Sequence, residues 1–147
     1  MKIIFYSTYD NKLAKLIANN YFDFIVTEKL TAKIKEIFSP EKRLVENNLY
    51  CINKKDSPVE VIALGCYGQE QIMFNLITGL NDIFSIQEKI VLINIDVLYN
   101  LLIKLGVKAV NLKLERLGLF LIEKGVIQEM PKIKKMIIKT KERIAEI

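Results

Sequence analysis

Apolar positions in this chain recur with two periods, and each change of period marks a new element. Residues 2–7 form a short continuous apolar run that predicts a buried strand. After Asp10 or Asn11, either a good N-cap, Leu13, Leu16, Ile17 and Tyr21 fall at helical spacing. Residues 22–27 are apolar and β-branched enough to predict a second strand, and 30–38 return to helical spacing until Ser39-Pro40 stops them. Two further strands, 49–53 and 59–64, flank Lys54-Lys55-Asp56-Ser57-Pro58, which has hairpin-turn composition. Ile72, Met73, Leu76, Ile77, Leu80, Ile83 and Phe84 then make a helical stripe wide enough to require packing on a sheet.

A strand over 90–95 completes a βαβ unit with 59–64 and the helix between them. Beyond it the pattern predicts a helix over 97–105 interrupted by Gly106, a second over 107–117 closed by Gly118, and a last short strand over 119–122. From about 128 to 147, Ile133, Met136, Ile137, Thr140, Ile144 and Ile147 mark a terminal amphipathic helix. Alternating strands and helices with one inserted β-hairpin predict an α/β fold, a three-layer α/β/α sandwich around a mainly parallel sheet. At 147 residues, one domain over 1–147 is expected.

Composition narrows the chemistry. There is no histidine, which removes the usual general base, the commonest metal ligand and every Ser-His or Cys-His pair. Two cysteines are too few for a zinc site, and no cofactor or metal is expected. No apolar run is long enough to span a bilayer and no export signal opens the chain, so a cytoplasmic protein with reduced thiols and no membrane insertion is expected. The net charge of +5 is concentrated at one end, where six Lys/Arg of residues 131–147 face only Glu142 and Glu146.

Val61-Ile62-Ala63-Leu64-Gly65, the run from Asn75 to Phe84, Asn100-Leu101-Leu102-Ile103-Lys104-Leu105-Gly106, and Arg116-Leu117-Gly118-Leu119 before Lys124-Gly125 occur in an informative order. From about residue 59 to 132 this order resembles a family of small proteins from spore-forming Firmicutes catalogued as domain of unknown function 3189. Members carry a glycine pair followed by Thr-His-Ser-Ser at the start of the first helix. Here that position reads Tyr6-Ser7-Thr8-Tyr9-Asp10-Asn11, without the glycines or the histidine. The resemblance implies a fold more than an activity, and a divergent member that has lost any anion or nucleotide site housed there.

The residues themselves nominate a ligand site at the carboxyl ends of the strands, comprising Ser7, Gly65, Cys66, Gly68, Gln69, Asp96 and Arg116. The Gly65-Cys66-Tyr67-Gly68-Gln69 turn would aim main-chain N–H groups at an anion, although two glycines three apart fall short of a phosphate-loop fingerprint and a plain βα turn is the simpler reading. Cys66 sits where a thiolate is favoured, but Ile72 stands where a Cys-x5-Arg phosphatase loop needs arginine, so a structural cysteine is favoured. Asp96 ends a Leu-Ile-Asn-Ile-Asp strand that would reach magnesium if a P-loop accompanied it, and none does. Arg116 offers a guanidinium fork to an anion or, more simply, a surface ion pair.

With no residue assigned to catalysis, association with a protein partner or with a second copy of the chain is the leading expectation. The alternative is a small binder or transferase for a phosphorylated or nucleotide ligand at the turn from Gly65 to Gln69. A third reading, less favoured, gives the basic terminal helix a nucleic-acid partner.

Overall fold

The computed structural model describes residues 1–25, 27–40, 49–84 and 88–146. Its elements are β1 (Lys2–Ser7), α1 (Lys12–Phe22), α2 (Thr27–Phe38), β2 (Leu49–Asn53), β3 (Glu60–Gly65), α3 (Glu70–Phe84), β4 (Ile90–Asn94), α4 (Leu101–Asn111) and α5 (Glu115–Ala145). The four strands form one sheet in the order β2-β3-β1-β4, with β1 parallel to β3 and β4 and with β2 antiparallel at the edge. This is the α/β fold with a mainly parallel sheet and one hairpin that the strand pattern predicts.

The chain divides into two compact units, Met1–Ala18 with Asn47–Asp96, and Asn19–Glu46 with Val97–Ile147. In the first, β1 is central, and pleating sends Ile3 and Phe5 to one face and Ile4 and Tyr6 to the other. On the first face Ile3, Phe5, Val61 and Ala63 are fully buried, and Lys15 of α1 lies over the Tyr50 ring of β2, centroid distance 5.5 Å. On the second face Tyr6 meets Phe74 of α3 edge-on at 5.3 Å. The sheet of this unit thus carries a helix on each side.

The coverage is unequal. α3 contains no fully buried residue, and Ile72, Leu76, Ile83 and Phe84 are 61–76% exposed. The stripe that the sequence pattern assigns to sheet packing is only grazed by the sheet, through half-buried Met73, Phe74 and Ile77. A sheet faces only one side of a helix, so a stripe this wide extends beyond what it can cover.

In the second unit α4 and α5 form an antiparallel helical hairpin around a turn in which Lys113 takes φ 65°. Here three expectations give way together. Gly106 does not interrupt a helix, Gly118 does not close one, and residues 119–122 are helical rather than a strand. The reason is contact. A Cβ on Gly106 would lie 2.7 Å from the Gly118 carbonyl oxygen, and one on Gly118 would lie 2.7 Å from the Gly106 carbonyl oxygen. The two glycines let the backbones touch, and Gly125 does the same against Ile103. The terminal helix accordingly begins at Glu115 rather than near 128, and buries Ile122, Val126, Ile133 and Ile137 along one face. Ile147 lies outside the described residues.

Asn100 fastens this hairpin. Its Oδ1 accepts the Ile103 N–H at 3.0 Å, capping α4, while its Nδ2 donates to the Gly125 carbonyl at 3.0 Å and to Glu129 Oε1 at 3.3 Å. The other Glu129 oxygen pairs with Lys132 Nζ at 2.8 Å, so this buried carboxylate is compensated. The strand expected over 22–27 is also absent among the described residues. α1 runs to Phe22, α2 starts at Thr27, and Asn20 Oδ1 accepts the Ile25 N–H at 2.9 Å across a short interhelical connection; Val26 lies outside the described residues. Phe24 there is exposed with the Lys134 and Lys141 ammonium groups over its ring, while Tyr21 just before this stretch is buried, the Lys141 ammonium 5.0 Å from its ring centroid.

Two glycine substitutions should move stability in opposite directions. Gly106→Ala forces a Cβ against backbone and is expected to cost about 2–3 kcal/mol. Gly79→Ala, in the interior of α3 with open space around the new methyl, should add about 0.5–1 kcal/mol. Urea titrations of the two variants check both signs.

Candidate functional site

β1, β3 and β4 end side by side, and the chain leaving each end forms a crest. Ser7 and Gly65 are register partners, and Asp96 follows β4 by two residues. Asp96 is the hub of this crest. Its Oδ1 accepts Ser7 Oγ and the Thr8 N–H, each at 2.9 Å, and its Oδ2 accepts Thr8 Oγ1 at 2.8 Å. Asn94 shapes the approach, since its Oδ1 accepts the Asp96 N–H at 2.7 Å in an Asx turn.

Gly65 is required for a different reason from anion approach. A Cβ there would sit 2.7 Å from the Asn11 nitrogen and 2.8 Å from the Asp10 carbonyl carbon, so the loop entering α1 presses directly on β3. The following turn has both central residues at positive φ, Tyr67 at 48° and Gly68 at 76°, closed by Gln69 N–H to the Cys66 carbonyl at 2.9 Å. Its other amides are also committed. Cys66 N–H donates to the Ser7 carbonyl, Tyr67 N–H to that of Tyr9, and Gly68 N–H to that of Thr8, at 2.8–3.2 Å. The Gln69 carbonyl receives the Met73 N–H, which starts α3.

Six of the seven sequence-nominated residues, Ser7, Gly65, Cys66, Gly68, Gln69 and Asp96, therefore meet at this crest. Arg116 belongs to the other unit, where it stands exposed in the first turn of α5 and lines a surface depression with Thr31, Lys35 and Glu123. Beside it Thr31 Oγ1 donates to Glu123 Oε1 and Ser39 Oγ to Glu115 Oε1, both at 2.9 Å.

The electrostatics of the crest are acidic. Asp10 caps α1 by accepting the Lys12 N–H at 3.1 Å, Glu70 occupies the first turn of α3, and Asp96 sits between the strand ends. Carboxylates thus stand at the helix N-termini that would otherwise attract an anion. Cys66 is buried against Met73, Sγ to Sδ 3.5 Å, and burial pushes its thiol up, with Glu70 and Asp96 raising it further. It is held as a thiol, not poised as a nucleophile.

One feature that sequence reasoning passed over stands out. An open groove of about 420 Å³ runs between α3 and the sheet, with Leu49, Ile62, Leu64, Ile72, Met73 and Leu76 among its lining residues. It borders β2, whose Leu49, Tyr50 and Cys51 are exposed. The signal for it was present in the width of the 72–84 stripe. The basic terminal helix is partly engaged, as Lys132 pairs with Glu129, and Lys134 and Lys141 lie over the Phe24 ring at 6.0 and 5.7 Å. Among the described residues no cluster of three His, Cys, Asp or Glu side chains could hold a metal, and no helix is long and apolar enough to cross a membrane.

The raised Cys66 has a pH consequence. Because the folded state holds this proton more tightly than the unfolded chain, it contributes stability below the ordinary thiol value of 9.0 that is lost as pH rises through the higher folded value. Alkylation of Cys66 by iodoacetamide should therefore titrate above pH 9, and Asp96→Asn should bring that midpoint down. The same substitution leaves one carbonyl oxygen for four donors, Ser7 Oγ, Thr8 N–H, Thr8 Oγ1 and Asn94 Nδ2, and should destabilise by about 2–3 kcal/mol in urea unfolding.

No curated protein and no solved structure matches the chain. Residues 2–142 match the family described as Protein of unknown function (DUF3189), which extends the resemblance read between residues 59 and 132 across both units. The matched span includes the crest, the groove and nearly all of the α4–α5 hairpin, and the chain belongs to this DUF3189 family.

Proposed function

We propose that this protein works by association with a second chain of the same fold, through the face formed by α3 and β2, and not by chemistry at the crest. The single observation that carries this reading is α3 itself. It is a fifteen-residue helix with no fully buried residue and an apolar stripe through Ile72, Leu76, Leu80 and Ile83 left open to solvent. Fully burying one such side chain contributes about 1.5–3 kcal/mol, so leaving several exposed is a cost that a partner would recover.

The distribution of charge supports the same surface. α3 carries only Glu70 and Asp82, and β2 carries no charge, so two copies of this face meet without dense like-charge repulsion. A phosphate ligand at the crest has weaker support, since the turn amides that would hold it already donate to carbonyls and three carboxylates stand nearby.

Size-exclusion chromatography with light scattering at micromolar protein is expected to give a dimer mass. The double substitution Leu76→Glu with Ile83→Glu should return the monomer while leaving the circular dichroism spectrum unchanged. A monomer mass for the unaltered chain across the accessible concentrations would defeat the reading.

A further inference from the structure

We infer that the second copy docks strand to strand along β2, antiparallel, with the two-fold axis passing through Cys51; this rests on the association reading above. The first argument is the edge itself. β2 pairs with β3 on one side, in an unbroken register from Leu49↔Leu64 to Asn53↔Glu60, and stands at the end of the strand order, so its other side is open among the described residues. A sheet edge is a row of backbone donors and acceptors that another strand satisfies. The devices that protect such edges are missing here, because Leu-Tyr-Cys-Ile-Asn has no charge and no proline, and its continuous register has no bulge.

Symmetry then selects the partner and the register. An antiparallel pair of identical strands is two-fold symmetric, which is the closed arrangement that homodimers favour. In a five-residue strand all residues overlap only when the axis passes through the middle one, and the middle of Leu49–Asn53 is Cys51. That register sets Tyr50 against Ile52, an aromatic to β-branched pair of the stabilising kind, and Leu49 against Asn53. No like charges oppose each other within the strand.

The axis is perpendicular to the sheet, so both α3 helices fall on the same face and flank the junction. Leu49 lines the groove together with Ile72 and Leu76, so pairing at β2 brings the open sides of the two grooves together. Leu49, Ile72, Leu76, Leu80, Ile83 and Phe84 leave on the order of 600 Å² of side chain open in each copy. With the strand backbone added, this approaches the roughly 800 Å² per partner of a standard stable interface.

Cys51 provides the test, being exposed while Cys66 is buried. Directly opposed residues in an antiparallel pair have Cβ atoms about 4.5–5.5 Å apart, so a short bis-maleimide should trap the unaltered protein as a covalent dimer. C51S should abolish the cross-link and leave the light-scattering mass of the dimer unchanged. C51K places two ammonium groups against each other on the axis and should weaken self-association at least tenfold, with its fold checked by circular dichroism. A dimer that resists cross-linking at Cys51 overturns the strand pairing while leaving association intact, as does a folded C51K that dimerises as tightly as the unaltered chain. A monomer at every concentration overturns both. The cross-link is read on the unaltered chain, so it decides the matter even if C51K fails to fold.

Discussion

The carboxylate of Asp96 binds the ends of β1 and β4 into one piece. It takes the Ser7 hydroxyl, the Thr8 amide and the Thr8 hydroxyl together, and the crest it organises is where an α/β sheet ordinarily receives its ligand. Around it the loop into α1 lies so close to β3 that only glycine fits at 65, and burial, with Glu70 and Asp96 adding to it, raises the Cys66 thiol. Internal hydrogen bonds among Ser7, Thr8, Asn94 and Asp96 thus knit that end of the sheet together.

With the crest closed in this way, the unsatisfied surface lies elsewhere in the same unit. A four-stranded sheet supports α3 along only part of its apolar circumference, and the hairpin that places β2 at the margin leaves that margin without a neighbouring strand among the described residues. Apolar side chain and unpaired backbone are thus exposed side by side. Each is the kind of surface that a folded chain tends to bury, and their adjacency makes one partner able to cover both.

The second unit shows how close packing can be purchased with glycine. Gly106, Gly118 and Gly125 let α4 and α5 approach until backbone meets backbone, and Asn100 ties the two helices with a cap on one and a carbonyl contact on the other. In sequence these glycines look like helix breakers, because the local cost of glycine in a helix is what the eye registers. Their seven-residue spacing between 118 and 125, on the same face as Ile122 and Val126, was the legible sign that they belong inside a helix rather than at its end.

What the sequence determined by itself is whatever depends on neighbours along the chain. The strands at 2–7, 49–53 and 90–94, the hairpin turn, the start of α3 after a glycine turn, and the lack of histidine chemistry all follow from local pattern and composition. The same locality made Ser7, Gly65, Cys66 and Asp96 recognisable as companions at the strand ends, since a βαβ unit brings such ends together. Only the tertiary structure decided whether a glycine breaks a helix or lets two meet, whether residues 22–27 pair with a strand or join two helices, and whether the α3 stripe is covered. Each of these depends on what stands opposite a residue in space, and that is set by elements distant in the chain, which a local pattern does not encode.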